Sequence, residues 1–586
     1  MIKSESTAIE PGSDANNHAP SPGDLYAVNR IRLRAKHLWT LSAILALSVV
    51  LYLLTMNPSR FGTYHDDGIY VTTAKAIATG QGYRIVSLPF EPSETKYPPL
   101  YPFLLSVIWR LNSSFPQNLI PMIWLSIAAT TGFLALSWRY LIINGYASAS
   151  QSSIVVFLAA VNTWTIVFST SVITEMLYAM LSVAGLYLAE KLVRRTAGWF
   201  ASVSAGLVCG LAFLTRTSGV TLVLAVAVYL MIRRAWKPAL VSFSVALVFV
   251  ICWTMWVSFN RTTIQGVNVA FYTNYFKDVR EIIGSLETLN SASELSVLLT
   301  IVGKNFLGLT LVSIPLVCSG INNLWKQGSH GVIVMMCLFF VIVIFMLIVT
   351  NIIRRISEGL RLLYLYLIFY LALHLATPYT TYDRYLIPLL PFLLVFLIAE
   401  LSRLFAGVRS QLKSRNGLGD LVGGPIVGLA ALATICVMSF AYLKGIQLQM
   451  GSSARTSAAA QEETQLTQWI ISNTELSDTL ICYRDPVYYL RTGRKAARSV
   501  PTALIDGALF QHQPPTVEEE KMLIRSIISE NNGRYLIVSL EDFDHLPESY
   551  RSAFTELTSQ EPARFIPVFE SASGRSTIYR IESSAG

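Results

Sequence analysis

Two adjacent carboxylates and a lysine stand close together shortly after the first apolar stretch of the chain. Asp66 and Asp67 lie in a Tyr-His-Asp-Asp-Gly-Ile-Tyr segment, and Lys96 precedes Tyr97 and two prolines about 30 residues later. A carboxylate in such a loop can accept a proton from an attacking hydroxyl or amine, and a lysine can bind a phosphate group. The spacing therefore predicts an active site at the membrane surface, with Asp66 and Asp67 as its catalytic carboxylates and Lys96 on the substrate.

Each of these residues also has a structural interpretation. Asp66 stands before Gly-Ile-Tyr-Val and would serve equally as the N-cap of an amphipathic helix over 68–79. An unperturbed aspartate has a pKa of about 4, so Asp66 is a weak base unless burial raises its pKa. Lys96 at a membrane boundary can extend its charge toward lipid headgroups. His65 has no second histidine nearby, which favours a hydrogen-bonded residue over a metal ligand.

The composition places these residues in a polytopic membrane protein. The 586 residues are 53% hydrophobic and 14% charged, with a mean hydropathy of +0.49, whereas soluble domains carry about 25% charged residues. Long apolar runs recur between Leu38 and Leu443, as in helical membrane proteins. The net charge of +9 comes from basic residues at the ends of these runs, which disfavours nucleic-acid binding. The six scattered cysteines predict neither a disulfide framework nor a metal site.

The apolar runs and basic loops predict the order of the membrane spans. Spans are expected near 38–56, 119–138, 153–170, 174–192, 199–215, 217–233, 239–257, 332–350, 362–378, 385–401 and 423–443. If the run at 305–321 also crosses, there are twelve spans, and the basic loop 403–415 lies outside, against the positive-inside rule. If that run is re-entrant or interfacial, there are eleven spans and the C-terminal domain is external. We favour eleven.

Three domains follow from this topology. Residues 1–29 are a polar, disordered cytoplasmic tail, and 30–443 form the membrane domain with external loops at 57–118 and 258–331. Residues 444–586 form a small external α/β domain. Helices are expected there near 459–473, 485–492 and 516–530, and strands near 479–483, 534–539, 564–570 and 576–581. This domain is either a lid or acceptor-binding module or a stabilising appendage.

Further charged residues recur at the outer ends of the predicted spans. Glu175 begins the fourth span, Arg216 separates the fifth and sixth, and Arg384 with Tyr385 precedes a helix that carries two prolines. Together with the acidic pair and the Pro-Pro helix, this order resembles the GT-C membrane glycosyltransferases over roughly residues 38–443. The most similar groups are the bacterial protein-mannosyltransferase-like and aminoarabinose-transferase-like enzymes. The resemblance implies a mainly α fold, a bundle of about eleven spans followed by the C-terminal α/β domain.

The resemblance also implies roles for individual residues. Asp66 matches the first acid of the family's pair, which serves in catalysis, and Asp67 stands where a glutamate is more usual. Lys96, Arg216 and Arg384 would bind the donor phosphate. In the aminoarabinose transferases this lysine directly follows a glutamate and directly precedes a proline. Here Thr95 precedes Lys96, Tyr97 follows it, and the nearest acid is Glu94. The substrate-binding residues implied are Lys96, Glu175, Arg216, Arg384, Glu94 and Tyr97.

The function implied is transfer of a sugar from a polyprenyl-phosphate donor on the external face of an inner (plasma) membrane. The partners are this donor, membrane lipids and a glycolipid, glycan or protein acceptor. No cofactor or metal ligand is expected, and a divalent cation is the less favoured alternative. The rival hypotheses are a lipid or sugar transporter or flippase, and a scaffold that displays the C-terminal domain. An enzyme requires the charged residues to surround one site; a transporter does not.

Overall fold

The structure, a computed structural model, is a helical bundle followed by a domain with a five-stranded sheet. It describes residues 35–194, 198–261, 272–273, 294–321, 331–357, 359, 361–377, 382–413, 418–451, 453–500, 516–539, 542 and 548–582. The predicted cytoplasmic tail, 1–29, and most of the loop 258–331 lie outside these residues. The expected fold class, a mainly α membrane bundle with a small C-terminal α/β domain, is confirmed.

Helices follow the predicted apolar runs closely. In the first half of the chain they are α1 (Ala35–Thr55), α2 (Asp66–Ala78), α3 (Leu100–Leu111), α4 (Leu119–Ile143), α5 (Ala149–Val161), α6 (Thr163–Ser169), α7 (Glu175–Arg194), α8 (Trp199–Thr215), α9 (Val220–Ile232) and α10 (Trp236–Phe259). In the second half they are α11 (Glu294–Asn305), α12 (Ile314–Ser319), α13 (Gly331–Ser357), α14 (Leu362–Leu375), α15 (Tyr382–Leu386), α16 (Leu390–Lys413) and α17 (Leu418–Gly451).

Several of these helices have the length and composition of membrane spans. Among the described residues, seven helical stretches pass this test, and α5 with α6 forms an eighth that bends by 64°. Asn162 lies at that bend and donates from Nδ2 to the Val317 carbonyl oxygen, at 2.8 Å. The stretch Leu298–Ser319 is one of the seven, and it contains a π-helical segment, Phe306–Ser313, between α11 and α12. Length alone therefore does not decide whether the run at 305–321 crosses.

Contacts between helix ends indicate on which side each span ends. Trp256, near the end of α10, donates from Nε1 to the Glu94 carbonyl oxygen at 2.9 Å, so α10 ends on the side of the loop 57–118. We call this the site side. Arg355, near the end of α13, donates to the Tyr146 carbonyl oxygen just beyond α4 at 2.9 Å, so α13 ends on the opposite side. Because α13 has the length of one span, it begins on the site side.

The remaining contacts agree with this order. Asn305, at the end of α11, donates to the Leu375 carbonyl oxygen at the site-side end of α14, at 3.0 Å. Arg60, in the loop after α1, donates to the Gln449 carbonyl oxygen near the end of α17, at 3.3 Å. The C-terminal domain therefore emerges on the site side. Whether the stretch 294–319 is re-entrant, and so whether the spans number eleven or twelve, stays a prediction.

The C-terminal domain contains the predicted helices and strands and two more elements. Its helices are α18 (Ser453–Asn473), α19 (Asp485–Thr492), α20 (Val517–Glu530) and α21 (Glu548–Gln560); its strands are β1 (Thr479–Cys482), β2 (Ala496–Arg498), β3 (Gly533–Ser539), β4 (Phe565–Glu570) and β5 (Ser576–Ile581). The strand order is β2-β1-β3-β5-β4, with β1 parallel to β2 and β3, and β5 antiparallel to β3 and β4. The sequence analysis missed β2 because three residues carry no recognisable periodicity.

Candidate active site

Asp66 lies at the start of α2 and uses both carboxylate oxygens in long-range contacts. Oδ1 accepts a hydrogen bond from the Tyr97 hydroxyl at 2.6 Å, and Oδ2 lies 3.0 Å from an amino nitrogen of Arg384. The helix begins at Asp66 with His65 at the N-cap position, so the capping interpretation of Asp66 is wrong. Burial raises the pKa of Asp66, but Arg384 and the tyrosine hydroxyl outweigh it and hold the pKa below its usual value. Asp66 is therefore ionised at neutral pH.

A buried glutamate joins two arginines from different spans. Glu175 Oε1 lies 2.6 Å from an amino nitrogen of Arg384 and 2.6 Å from one of Arg216. Arg216 also donates to the Thr174 hydroxyl at 3.1 Å. Glu175 stands at the first residue of α7, Arg216 between α8 and the next short helix, and Arg384 in α15. Each of these residues lies where the chain reverses direction on the site side, and their charged side chains meet in one cluster.

Solvent exposure differs between the side chains that could contact a ligand and the side chain that supports them. The side chains of Asp66 and Arg216 are 21% and 20% exposed, and that of Arg384 is 16% exposed. The side chain of Glu175 is only 1% exposed, so it supports the two arginines from the buried side and has no surface open to a ligand. The guanidinium of Arg384 also lies over the Tyr64 ring, 5.5 Å from its centroid. We call Asp66, Tyr97, Glu175, Arg216 and Arg384 the charged cluster.

The backbone at His65 sets the direction of Asp66. His65 has a φ of 56° and a ψ of −47°, and the Asp66 amide donates to the Tyr64 carbonyl oxygen across it at 2.5 Å. This is a γ-turn with positive φ, a rare and strained conformation for a residue with a side chain. Such strain persists only where the surroundings impose it, and it is concentrated at functional sites.

Asp67 faces away from the charged cluster. It is buried, and its two carboxylate oxygens accept hydrogen bonds from the amides of Gly62 and Gly68, each at 2.8 Å. Burial raises its pKa to about 7, although the two amides oppose that rise. The carboxyl therefore closes the loop 62–68 on itself. The structure places it as a brace of this loop, and its catalytic role stays a prediction.

Glu94 fixes the second segment of the loop 57–118, which carries Tyr97. Its Oε1 accepts hydrogen bonds from the backbone amides of Lys96 at 2.6 Å and Tyr97 at 2.9 Å, and burial raises its pKa to about 7. The Tyr97 carbonyl oxygen in turn accepts from the Tyr83 hydroxyl at 2.9 Å. These contacts hold Tyr97 where its hydroxyl meets Asp66. Lys96 is half-buried at the same turn, and donor contacts by Lys96 and Glu94 stay predictions.

The sequence analysis missed a histidine beside the charged cluster. His374, near the end of α14, is 6% exposed, and its ring stacks on Tyr385 with centroids 4.0 Å apart. Neither ring nitrogen has a hydrogen-bond partner among the described residues. Tyr385 directly follows Arg384, so His374 extends the cluster inward. A polar residue at the end of the apolar run 362–378 was the signal that could have revealed it.

The described residues include no group of three or more histidine, cysteine, aspartate or glutamate side chains that is placed to hold a metal ion. The two arginines instead supply fixed positive charge. That the reaction needs no cofactor or divalent cation remains a prediction.

Comparison with known proteins identifies the fold. No family model matches the chain, and no curated protein matches it at a significant level. ArnT from Cupriavidus metallidurans in the apo state has a TM-score of 0.51 at 14% identity, over 93% of this chain and 98% of ArnT. The Archaeoglobus fulgidus oligosaccharyltransferase tethered with an acceptor peptide has a TM-score of 0.50 at 10% identity, over 93% and 74%. Both neighbours are GT-C glycosyltransferases, so the chain has the GT-C fold that its sequence led us to expect.

Proposed function

We propose that this GT-C-fold membrane protein transfers a sugar from a polyprenyl-phosphate donor to an acceptor on the external face of the membrane. The observation that carries the proposal is the charged cluster. An ionised carboxylate and two partly exposed guanidinium groups meet at the site-side ends of the spans, where a lipid headgroup and a polar acceptor can both arrive. The acceptor class, a glycolipid, a glycan or a protein, is left open.

The proposed reaction is a substitution at the anomeric carbon of the donor sugar. The acceptor oxygen or nitrogen forms a bond to that carbon while the bond from carbon to phosphate oxygen breaks, and the phosphate leaves with the electron pair. The acceptor gives up one proton as the new bond forms. Because the leaving group is already a stable anion, the protein needs mainly to align the two substrates and to stabilise developing charge.

Asp66 is the group that meets the acceptor in this mechanism. Its pKa is held below the usual value, so it is a weak base, and proton transfer to it occurs only once the acceptor is bonding to the sugar. Before that point, Asp66 accepts a hydrogen bond from the acceptor and orients it. Its negative charge also stabilises the positive charge that develops on the sugar ring. The hydrogen bond from Tyr97 fixes the carboxylate for this purpose.

Arg384 and Arg216 are the groups that meet the donor phosphate. Arginine presents several N–H donors in a planar fork that matches phosphate oxygens. Both side chains are partly exposed, and each gives Glu175 only part of its donor set. Glu175 fixes the two guanidinium groups at one distance from each other, so that a phosphate binds to prearranged donors. Its buried position supports this positioning role over direct contact with the substrate.

The experiment that tests the proposal measures transfer of labelled sugar from a panel of polyprenyl-phosphate donors to membrane extract. Wild type is compared with Asp66→Asn, and Glu518→Gln, an exposed carboxylate of the C-terminal domain, is the control. We expect transfer by wild type and by the control, and a loss of about 100-fold or more in Asp66→Asn. Transfer that is unchanged in Asp66→Asn contradicts the role of Asp66. Movement of the lipid across the membrane without transfer supports the transporter hypothesis instead.

A further inference from the structure

Three segments that are far apart in the sequence meet in a buried hydrogen-bonded cluster next to Asp66. His65 Nε2 lies 2.9 Å from Asp485 Oδ1, and the Tyr272 hydroxyl donates to Asp485 Oδ2 at 2.8 Å. The Tyr272 hydroxyl oxygen also lies 3.3 Å from His65 Nε2. His65 belongs to the acidic loop, Tyr272 to the predicted external loop 258–331, and Asp485 to α19 of the C-terminal domain. We call these three residues the His-Asp-Tyr cluster.

Burial shows that this cluster is part of the molecule's interior. Asp485 is 0% exposed, Tyr272 is 1% exposed and His65 is 9% exposed. A carboxylate in such a place requires partners, because an unpaired buried charge is costly. The Tyr272 hydroxyl donates to Asp485 Oδ2, and His65 donates to Oδ1 in the tautomer that carries its proton on Nε2.

The charges around His65 favour its neutral form. Burial is the main cause that lowers the pKa of His65, and the nearby Arg498 lowers it further, while Asp485 and Asp66 raise it. At neutral pH the ring is therefore an uncharged donor. It holds Asp485 without adding a positive charge beside Asp66.

Close packing on both sides of His65 joins the same two elements. A Cβ on Gly62 would lie 2.4 Å from Val487 Cγ2, and a Cβ on Gly68 would lie 2.6 Å from Pro486 Cβ. The loop 62–68 thus touches α19 through three successive contacts, at Gly62, His65 and Gly68. The strained γ-turn at His65 lies at the centre of this contact, where the C-terminal domain can impose it.

The C-terminal domain also contacts the segment that leads to Tyr97. The Ala496 amide of β2 donates to the Ser87 carbonyl oxygen at 2.9 Å, and Lys495 Nζ donates to the Val86 carbonyl oxygen at 2.7 Å. Ser87 lies in the loop that leads to Tyr97. Both partners of the hydrogen bond between Tyr97 and Asp66 are therefore carried by loops that dock on one domain.

We propose that the C-terminal domain positions Asp66 for catalysis through the His-Asp-Tyr cluster, an inference that rests on the proposed transferase function. His65, Tyr272 and Asp485 are positioning residues: they fix the γ-turn that directs the Asp66 carboxylate toward Tyr97 and Arg384. The donor phosphate binds to Arg384 and Arg216, which the membrane domain carries. Loss of the cluster therefore lowers kcat and leaves the KM for the donor unchanged.

The first test uses kinetics of the full chain. We expect Asp485→Asn and His65→Leu each to lower kcat about 10-fold to 100-fold, with the donor KM unchanged. His65→Gln, whose amide can donate a hydrogen bond from near the Nε2 position, restores part of kcat. The control is Glu556→Gln, which removes a surface ion pair to Lys521 within the same domain and leaves kcat unchanged. An unchanged kcat in Asp485→Asn overturns the proposal, and so does an equal loss in the control.

A second test does not depend on activity. The Cβ atoms of residues 62 and 487 would lie 3.7 Å apart, within the range of disulfides, so Gly62→Cys with Val487→Cys is expected to cross-link under mild oxidation. Adding Asp485→Asn is expected to lower the cross-link yield, because the loop is no longer held on α19. Equal yield with and without Asp485→Asn overturns the proposal. If wild type transfers no sugar, the proposed function fails, and the cross-link still tests whether the cluster holds the loop.

Discussion

At the scale of single residues, two neighbouring carboxyl groups have opposite environments. Asp66 is partly exposed, accepts from Tyr97 and lies against Arg384, and its pKa is held below the usual value. Asp67, the next residue, is buried against two backbone amides, and its pKa is raised to about 7. A site that separates the pKa values of adjacent acids can assign them different tasks. In the proposed mechanism Asp66 is the group that meets the acceptor, and Asp67 holds the loop.

The guanidinium of Arg384 is expected to contribute both charge and geometry. Arg384→Gln removes a cation from the proposed phosphate site and leaves Glu175 and Asp66 without a shared partner, so we expect kcat/KM to fall about 100-fold. Arg384→Lys keeps the charge and loses the planar fork, so its loss is smaller, about 10-fold. Initial rates against donor concentration measure both. Arg534→Gln, an exposed arginine of the C-terminal domain, is the matched control, and an equal loss there contradicts the assignment.

His374 is expected to lower the stability of the folded chain and to contribute to transfer. Two buried ring nitrogens without partners among the described residues cost about 1–3 kcal/mol, and His374→Phe replaces them with an apolar ring of similar size. We expect the Tm of the purified chain to rise and transfer to fall, since such groups are retained where a substrate uses them. Thermal unfolding and transfer assays measure the two effects. A lower Tm with unchanged transfer contradicts this expectation.

At the scale of elements, close packing against α19 restricts the backbone conformation of the loop before α2. Gly62 combines a φ of 92° with a Cβ position only 2.4 Å from Val487, so two separate constraints require glycine there. The loop fixes part of its own conformation, because Asp67 accepts hydrogen bonds from the amides of Gly62 and Gly68. The packing of α19 adds a constraint from the C-terminal domain, although the charged cluster belongs to the membrane domain.

Substitution of Gly62 separates packing from backbone strain. Gly62→Ala is expected to destabilise the chain by about 2–4 kcal/mol, because both strain and overlap with Val487 act on it. Gly80→Ala is the matched control: its φ is 78°, and no atom lies within 4 Å of the added Cβ. We expect the control to cost about 1 kcal/mol and to leave transfer intact. Equal effects of the two substitutions in thermal unfolding and transfer contradict a close contact at Gly62.

The buried acids Asp67 and Glu94 predict how stability depends on pH. Both carboxyl groups have pKa values raised to about 7, so between pH 5 and pH 7 the folded chain binds more protons than the unfolded chain does. Their contribution to stability is full below their ordinary pKa values and is lost as the pH rises through about 7. Asp67→Asn and Glu94→Gln are expected to flatten the fall of Tm between pH 5 and pH 8. A steeper fall in the variants contradicts the direction of these shifts.

At the scale of the whole molecule, the charged cluster lies at the ends of helices, and the buried apolar residues lie along the helix interiors. The cluster forms where α7, α8 and α15 begin or end on the site side, and α2 lies across these ends. At the opposite side, Arg354 lies 2.8 Å from the buried Glu400, and Arg355 donates to the Tyr146 carbonyl oxygen. Among the described residues, the bundle therefore has polar contacts at each end, and those on the site side meet the C-terminal domain.

Labelling from one side of the membrane tests this arrangement. Single cysteines introduced at Ser59 and Glu518 are expected to react with a membrane-impermeant thiol reagent added to the external face, because both lie on the site side. A cysteine at Arg234, beyond α9, is expected to react only after the membrane is opened. Labelling of residues 59 and 518 from different faces contradicts the eleven-span prediction. External labelling at 234 alone contradicts the predicted orientation.

The sequence by itself determined the class of fold and most of the charged cluster. Apolar runs of span length predict the helices directly, because a bilayer requires each span to satisfy its own backbone. Charged residues such as Arg216 and Arg384 at span ends are conspicuous for the same reason, since charge is costly in an apolar environment. The order of these residues along the chain then sufficed to predict one side and one shared site.

Only the tertiary structure decided which groups within that site act together. The sequence matched Asp66 to the family's first acid but did not show how its environment differs from that of Asp67. That difference arises from Arg384, Tyr97 and two backbone amides that the fold brings to them. Nor did the sequence show that Asp485 holds His65, since a contact across more than 400 residues has no local periodicity. The local sequence pattern reflects the environment of a whole helix or strand, whereas the pKa and the orientation of one side chain depend on the residues that pack against it.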